Sequence, residues 1–553
     1  MSERSQEDPS PRMASTAPTA STAPALPPDQ AVFATRHTFV ATVAVEGRPA
    51  AVAAIQGLPP GAAVAEVRLD PLWPAPPDPG EAADDLEALL AAAEGRTVLL
   101  ATLRPVRQGG RFDGPEAVRL GLLVAAARAG FRAVDVEADL QDPRPVLRQA
   151  RAAGAGVVLS DHRLPGAPAR DVGLRHLVAM QDLRADVQKL AFPAAAFPDT
   201  MRALELAHAH AAHGGRPAVQ PLGFGGAALR VLLAVAGNRA TYGHAPGAGP
   251  AVPGQPAVED LLRIWRHWGL DAAPPAHGGG HAPWYAVLGR PTAHSLSPCI
   301  HNAAFHAAGR PERFGALDVP DSAGAFRLLS LVASRIGLAG ASVTAPHKLR
   351  AADVAEGDAT VRAVGAANCL RFTPTGAHAT NTDATAFRAL LEDAGARSVA
   401  VLGSGGAARA ALWAARELAL EASFSSRDPE RAAPVAEAFR ARWFPWTERA
   451  AMDADAWVQA TPPGRGHGAD DAPLPDGRLT PRSTLVELVY GDEPTAAEEQ
   501  ARRAGCRIVD GRAFLVEQAV HAFAFWTGTP PDRDAMAVAC RPARRGARSR
   551  GAG

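Results

Sequence analysis

The chain has 553 residues, 47% of them hydrophobic and 21% charged, with 57 basic side chains balanced by 57 acidic ones. That length exceeds one compact domain and supplies ample core material, so two or three domains are expected. A net charge of zero gives no footing for nucleic acid or an anionic membrane surface, and no apolar run approaches the roughly 20 residues of a membrane span.

Residues 1–33 are rich in Ala, Pro, Ser and Thr and poor in large apolar side chains, which predicts a disordered leader. It has no apolar central stretch, and Glu3, Glu7 and Asp8 are acidic, so it reads poorly as a secretory signal or a transit peptide. From 34 to 271, short strand-like stretches alternate with longer helix-like ones. Strands are predicted at 38–45, 64–69, 97–103, 133–138, 156–162, 187–192, 217–222 and 239–243, and amphipathic helices at 81–94 and 115–129. Eight such units in succession predict a parallel (β/α)8 barrel, an α/β fold. A linker at 272–283, containing AAPPAHGGGH, divides the chain. Residues 284–390 read as a mixed α/β segment. SVAVLGSGGAARAAL at 398–412 is a strand, a glycine turn and a helix, the opening of a Rossmann dinucleotide-binding domain expected over 391–515. A C-terminal helix at 516–540, returning to the 284–390 segment, and a basic tail at 541–553 complete the chain.

Cys299, Cys369, Cys506 and Cys540 lie far apart with no C-x-x-C pair, which favours free thiols in a reducing cytoplasm over a disulfide frame or a zinc site. His208, His210 and His213 share a predicted helix at spacings unlike the i, i+4 of metal ligands, so they are expected to face solvent. His277 and His281 belong to the linker, and no metal site is expected. The basic residues are distributed unevenly: lysine occurs only at 189 and 348, and the other 55 are arginine. Arginine keeps its proton at working pH, whereas lysine can release one. The two lysines are therefore candidates for sites that need an amine chemically.

In a barrel of this kind, catalytic groups cluster at the C-terminal ends of the strands. Glu66 and Arg68 end the second predicted strand, Arg104 the third and His162 the fifth. Lys189 lies within the sixth, Arg230 follows the seventh and Gln255 follows the eighth. Burial in an apolar strand disfavours the charged form of a lysine, and a neutral amine attacks a ketone to give a Schiff base. An imidazole on the preceding strand can then remove a proton beside the iminium carbon. Three arginines suit a carboxylate-bearing substrate. Other Schiff-base chemistry, such as that of an aldolase, is the competing reading. EVRLD (66–70), LRPVRQGG (103–110), SDH (160–162), ADVQKLA (185–191), Arg230 and PGQ (253–255) together resemble type I 3-dehydroquinate dehydratase over residues 36–270. The resemblance implies that Lys189 is the Schiff-base lysine and His162 the proton-transfer group. It also implies that Glu66, Arg68, Arg104, Arg230 and Gln255 hold the substrate, with Thr42 in place of a substrate-contacting serine. Gln108 stands where that family usually has a glutamate bonded to the histidine, and Ala251 where it commonly has a substrate-binding serine. A glutamine orients His162 without stabilising an imidazolium, which predicts a lower or shifted pH optimum.

In the second half, GRPTAHSLSPCIHNAAF (289–305) sets Ser295 and Ser297 beside a proline, and SVTAPHK (342–348) holds the second lysine. GAANCL (365–370) and TNTD (380–383) follow, with Asn368 and Asn381, two of only four asparagines. These motifs resemble shikimate dehydrogenase over roughly residues 284–529. The resemblance implies that Lys348 and Asp383 are a catalytic pair, the lysine giving a proton to a ketone oxygen as hydride reaches the carbon. It implies that Ser295, Ser297, Thr344, Asn368, Tyr490 and Gln518 contact the substrate. Gly403, Ser404, Gly405, Gly406 and Ala407 form the cofactor loop, whose glycines let a pyrophosphate approach a helix N-terminus. Ser426 and Arg427 follow the next strand; Arg427 suits a ribose 2′-phosphate and so favours NADP, while the carboxylate of Asp428 opposes it. Thr461, within ATPPG (460–464), Leu488 and Gly511 complete the nicotinamide side, and Gln459, Glu487, Ala384 and Ala386 depart from the family's residues. Taken together, these features predict a bifunctional enzyme that dehydrates 3-dehydroquinate to 3-dehydroshikimate and reduces that product to shikimate with NADPH. The alternatives are a working reductase half on a scaffold barrel, a reductase acting on quinate, or a non-catalytic ligand-binding regulator. The expected partners are these small molecules; no motif speaks to the oligomeric state.

Overall fold

The computed structural model describes residues 32–33, 37–162, 164–271, 282–461, 474–475 and 477–541. The leader to residue 31, the linker segment 272–281 with His277 and His281, residues 462–464 of the ATPPG motif and the tail from 542 lie outside the described residues.

The first unit has eight parallel strands: β1 (Thr38–Val43), β2 (Val64–Arg68), β3 (Val98–Thr102), β4 (Ala133–Glu137), β5 (Gly156–Asp161), β6 (Val187–Ala194), β7 (Pro217–Gly223) and β8 (Ala240–His244). A helix follows each strand, and the order is β7-β6-β5-β4-β3-β2-β1-β8. The strands are runs of Val, Leu and Ala buried on both faces, the pattern that helix-covered parallel strands require. β7 and β8 form no strand ladder; one backbone bond, Arg239 N–H to Pro217 O (2.6 Å), and side chains close the seam. Asn238 donates to Val219 O (2.8 Å) and accepts from Val219 N (3.0 Å), so its carboxamide stands in for a peptide unit. The N-terminal end of the barrel is plugged by Val40, Val64, Leu100, Val158, Val187 and Phe33. Phe33 is 1% exposed, so the leader expected over 1–33 ends earlier and the chain is already tied into the barrel at this apolar side chain.

The second unit begins with β9 (Trp284–Gly289), β10 (Arg313–Asp318), β11 (Leu338–Val343), β12 (Glu356–Gly357), β13 (Cys369–Thr373) and β14 (Gly376–Thr380), in the order β10-β9-β11-β13-β14-β12. β13 runs antiparallel to both neighbours. A second sheet contains β15 (Ser398–Leu402), β16 (Glu421–Ser426), β17 (Arg442–Pro445), β18 (Ala456–Gln459), β19 (Thr484–Glu487) and β20 (Arg507–Val509). It is wholly parallel, in the order β17-β16-β15-β18-β19-β20, the doubly wound arrangement of a dinucleotide-binding sheet. The helix Gly511–Thr527 then crosses back to the first of these sheets, where Trp526 Nε1 donates to Leu370 O of β13 (2.9 Å).

The barrel and the β9–β14 sheet share one hydrophobic core. The barrel helix Phe197–Ala212 lies against the turn Ser334–Ile336, and the helix Gly226–Val235 against β10. This packing corrects the solvent-facing reading of the histidines. His210 is 2% exposed and bonds Gln188 Oε1 (3.1 Å). The ring of His208 fits against Gly337, where φ is +77° and a Cβ would fall 2.2 Å from it. Only His213 is exposed. The spacing argument assumed a helix with a wet face, and this helix is covered from two sides. No helix among the described residues is long and apolar enough to cross a membrane.

Candidate active sites

Four strands converge on Lys189 of β6, which is 5% exposed. Its Nζ donates to Glu66 Oε1 of β2 (3.0 Å) and Asp135 Oδ2 of β4 (3.2 Å), and lies 4.0 Å over the ring of Tyr242 on β8. Glu66 also accepts from Thr42 (2.8 Å) and Thr102 (3.1 Å). Thr42 in turn accepts from Gln255 Nε2 (3.1 Å), so Thr42 and Gln255 reach the lysine through Glu66. Arg104 bridges Asp135 (3.0 Å) and Glu137 (2.8 Å). Arg68 is gripped by both oxygens of Asp70, at 2.7 and 2.8 Å. Burial raises the carboxyls of Glu66 and Asp135, but the cations of Lys189 and Arg104 outweigh it and hold both below the usual range. Arg230 differs from the other arginines. It is 4% exposed, pairs with no carboxylate among the described residues, and is drawn down to about 10 by burial alone.

His162 follows β5 with its ring Nδ1 buried and without a hydrogen-bond partner among the described residues. Gln108 Oε1 instead accepts from the backbone N–H of His162 (3.3 Å), and its Nε2 is also unpartnered. Gln108 thus orients His162 through the backbone on which the ring is mounted. Burial, reinforced by Arg104 and Lys189, holds the His162 imidazole well below its ordinary pKa, so it is neutral at neutral and mildly acidic pH. The sequence reading missed Asp135, Glu137 and Tyr242. The first two had a signal: carboxylates two apart on one strand point to the same face.

The second lysine, Lys348, opens the short helix Lys348–Asp353 beyond β11, and its Nζ donates to Asp383 Oδ2 (2.5 Å). Asn368 Nδ2 donates to Asp383 Oδ1 (2.7 Å) and Thr382 Oγ1 (2.9 Å), and its Oδ1 accepts the Thr382 N–H (2.7 Å). Asn381 caps the helix Thr382–Asp393 by accepting from Ala384 N (3.0 Å). The GAANCL and TNTD motifs thus form one hydrogen-bonded unit that aims Asp383 at the lysine. Thr382 Oγ1 reaches Gln518 Oε1 at 3.4 Å. Ser295 Oγ accepts the Ser297 N–H (3.2 Å), and the Tyr490 hydroxyl accepts the Leu296 N–H (3.5 Å), which brings Tyr490 to the serine turn. Thr344 is half-buried at the end of β11, its methyl against Gly289, where a Cβ would come within 2.2 Å.

The glycine loop lies between β15 and the helix Gly406–Glu417, with Gly403 at φ +122°, Ser404 and Gly405 in the turn and Ala407 in the first helical turn. A Cβ on Gly406 would lie 2.9 Å from the Cβ of Lys348, so the loop abuts the second lysine. Gly511 packs against Leu488 and Val489, whose carbonyl would be 2.4 Å from an added Cβ. Ser426 Oγ accepts from Trp443 Nε1 (3.2 Å), and Arg427 is exposed beside it. Asp428, set against a 2′-phosphate by its charge, is committed elsewhere. It caps the helix Pro429–Phe439 by accepting from Glu430 N (3.0 Å) and Arg431 N (3.2 Å), and it pairs with Arg431 (3.1 Å). Thr461 Oγ1 donates to Gln459 Oε1 (2.8 Å). Burial pushes Glu487 up to about 7; it accepts from Val489 N (2.9 Å) and Thr495 Oγ1 (2.8 Å), holding the segment between Leu488 and Tyr490.

Residues 39–271 match the family model of type I 3-dehydroquinase, 287–370 that of the shikimate dehydrogenase substrate binding domain, and 511–540 that of the shikimate 5′-dehydrogenase C-terminal domain. The shikimate dehydrogenase (NADP(+)) of Anaeromyxobacter dehalogenans strain 2CP-1 is 38% identical over 281 residues, covering 49% of this chain and 99% of that protein. That of Acidiphilium cryptum strain JF-5 is 36% identical over 259 residues, covering 46% and 93%. Among solved structures, the shikimate 5-dehydrogenase of Thermus thermophilus in complex with NADP(H) and shikimate is 31% identical, with a TM-score of 0.40, covering 47% of this chain and 98% of that one. The dehydroquinate dehydratase and shikimate dehydrogenase of S. pombe is 21% identical, with a TM-score of 0.37, covering 91% and 98%.

Proposed function

Because the chain belongs to the shikimate dehydrogenase family and carries a type I 3-dehydroquinase barrel ahead of that module, we propose that it performs two successive reactions. The barrel dehydrates 3-dehydroquinate to 3-dehydroshikimate, and the second unit reduces that product to shikimate with NADPH. The observation that carries this reading is the pair of lysines. They are the chain's only two, and each meets a carboxylate in a separate site.

In the barrel, the Lys189 amine adds to the substrate ketone and water leaves, giving an iminium. The ammonium and the iminium are both cations, so Glu66 and Asp135 stabilise the charge before and after the bond forms. Neutral His162 takes the proton from the carbon beside the iminium and returns it to the departing hydroxyl, which leaves as water. Hydrolysis of the imine releases the product and restores the amine. Arg230, buried without a carboxylate partner among the described residues, takes the substrate carboxylate. Arg68 and Arg104, already held by acidic neighbours, offer their remaining N–H groups to substrate hydroxyls, with Thr42, Glu66 and Gln255 around them.

In the second unit, Lys348 donates a proton to the ketone oxygen of 3-dehydroshikimate, and Asp383, aimed by Asn368, orients the amine. Ser295, Ser297, Thr344, Tyr490 and Gln518 surround the substrate's carboxylate and hydroxyls. The residues present fit NADP. Gly403, Ser404, Gly405, Gly406 and Ala407 form a cradle at a helix N-terminus that would hold the pyrophosphate, and Ser426 and Arg427 would hold the 2′-phosphate, with Asp428 turned into its helix cap. NADPH supplies the hydride when bound there, and Thr461, Leu488 and Gly511 line the nicotinamide side. Free thiols at Cys299, Cys369, Cys506 and Cys540 support a reducing, cytoplasmic setting.

Borohydride reduction in the presence of 3-dehydroquinate, followed by peptide mapping, tests the barrel. The expected adduct is on Lys189; an active barrel that gives no adduct, or one on another residue, contradicts the imine mechanism.

A further inference from the structure

Beneath the amine of Lys189 lies an aromatic face. Tyr242 on β8 is 4% exposed, and Nζ sits 4.0 Å from its ring centroid. A cation over a ring face at that distance, shielded from water, is attracted by the ring's quadrupole. The lysine is therefore held by two carboxylates and a ring that come from β2, β4 and β8. Tyr242 also belongs to the apolar plug, with Val40, Val64, Val187 and Ala240, so its ring is the boundary between plug and site.

The hydroxyl adds nothing visible to this arrangement. It is buried with no hydrogen-bond partner among the described residues. Burial, then the charges of Glu66 and Asp135, push the phenol well above its usual range, so it stays neutral. A phenol with no hydrogen-bond partner has no path along which to relay a proton, and what Tyr242 presents to the lysine is its ring face.

We propose that Tyr242 is a positioning residue for the dehydration, whose ring holds the cationic forms of Lys189 in register with Glu66, Asp135 and His162. The proposal rests on Lys189 being the Schiff-base lysine. The ammonium and the iminium are cations, and the carbinolamine between them is not. The ring thus favours the two charged states, and the iminium is the one that acidifies the neighbouring C–H for His162. Losing the ring slows the proton-transfer step more than it weakens substrate binding.

Replacement by leucine keeps an apolar side chain and removes the ring. Tyr242→Leu is expected to lower the dehydration kcat about 10-fold with KM changed by less than about 3-fold, on the scale of a desolvated cation–ring contact. Tyr242→Phe, which restores the ring alone, is expected to recover most of that loss. The NADPH-dependent reduction of 3-dehydroshikimate by the same chains reports whether the fold survives. Fluorinated phenylalanines at 242 keep the shape and drain electron density from the ring face, so kcat should fall stepwise with fluorine number. A flat fluorine series, or a leucine variant with the original kcat, overturns the proposal. So does a phenylalanine variant as slow as leucine, which would make the hydroxyl the working group. A failure of the Schiff-base reading itself is distinguishable, because borohydride would then mark no lysine in the parent chain.

Discussion

Asn302, in the second unit, donates its Nδ2 to the backbone oxygen of Trp268 at the end of the barrel, 2.7 Å away. The same amide donates to Phe314 O (2.9 Å), and its Oδ1 accepts from Phe314 N (2.8 Å), so one carboxamide stitches β10 to the barrel. Arg335 adds an ion pair to Glu205 of the barrel, and one apolar core runs through the junction. The two units should therefore unfold together. Thermal inactivation of the two activities is expected to superimpose. Asn302→Ala leaves three buried backbone groups unpartnered and should lower stability by about 2–3 kcal/mol while the two inactivation curves stay coincident. Inactivation of one activity well below the other would show that the junction is only a contact.

Buried histidines make the fold sensitive to acid. His37 and His210 are lowered to about 4 and His301 to about 3, each chiefly by burial, and His162 is also held well below its ordinary value. Their folded pKa values lie below the unfolded value of 6.5, so below pH 6.5 the unfolded chain binds protons that the folded chain does not. The histidine contribution to stability should thus be flat above that pH and fall towards pH 4, each group contributing up to about 1.4 kcal/mol per pH unit. His301 carries no hydrogen bond on either ring nitrogen among the described residues and stacks on Phe314 at 4.5 Å. His301→Phe should narrow the gap between denaturation midpoints at pH 7.5 and pH 5; an unchanged gap would count against this account.

Gln108 brings no carboxylate to His162, and burial with the charges of Arg104 and Lys189 outweighs Asp135 and holds the imidazole well below its ordinary pKa. The acid limb of the dehydration profile is accordingly expected at low pH. Gln108→Glu preserves an acceptor for the His162 N–H and adds a negative charge, which raises the imidazole pKa and moves that limb upward. Reduction by the same variant serves as the control. An unmoved limb would mean that His162 does not set it.

Asp428 is spent on a helix cap, so it should not discriminate between dinucleotides. Asp428→Ala is expected to cost about 1 kcal/mol of stability and to leave the ratio of kcat/KM for NADPH and NADH within about 2-fold. Arg427→Ala should instead raise KM for NADPH by about 10-fold, the loss of one charge-assisted contact. A large rise in NADPH preference on removing Asp428 would show that its carboxylate does face the phosphate.

The eight barrel strands were legible because strands buried on both faces read as short apolar runs between turns. Lys189 and Lys348 stood out because arginine had taken every other basic position. What escaped was set by distance along the chain. Asp135 meets Lys189 across 54 residues and Tyr242 across 53; the two carboxylates of VDVE mark a polar face but not the lysine it meets, and nothing local in ATYGH signals its meeting. The packing of His208 depends on a partner more than 100 residues away, since its ring lies against Gly337, just beyond the turn Ser334–Ile336. Gln108 lies beside His162, but a sequence does not separate a bond to the backbone N–H from one to the ring.

The central claim is that the two lysines serve two consecutive reactions in one chain, and one coupled assay addresses it. 3-Dehydroquinate and NADPH are supplied together and the loss of nicotinamide absorbance is followed. The parent chain should oxidise NADPH. Lys189→Arg should stop that oxidation yet leave the rate from added 3-dehydroshikimate unchanged, and Lys348→Arg should let 3-dehydroshikimate accumulate with NADPH intact. Absence of NADPH oxidation by the parent chain, or a Lys189→Arg variant that still consumes NADPH from 3-dehydroquinate, would contradict the account.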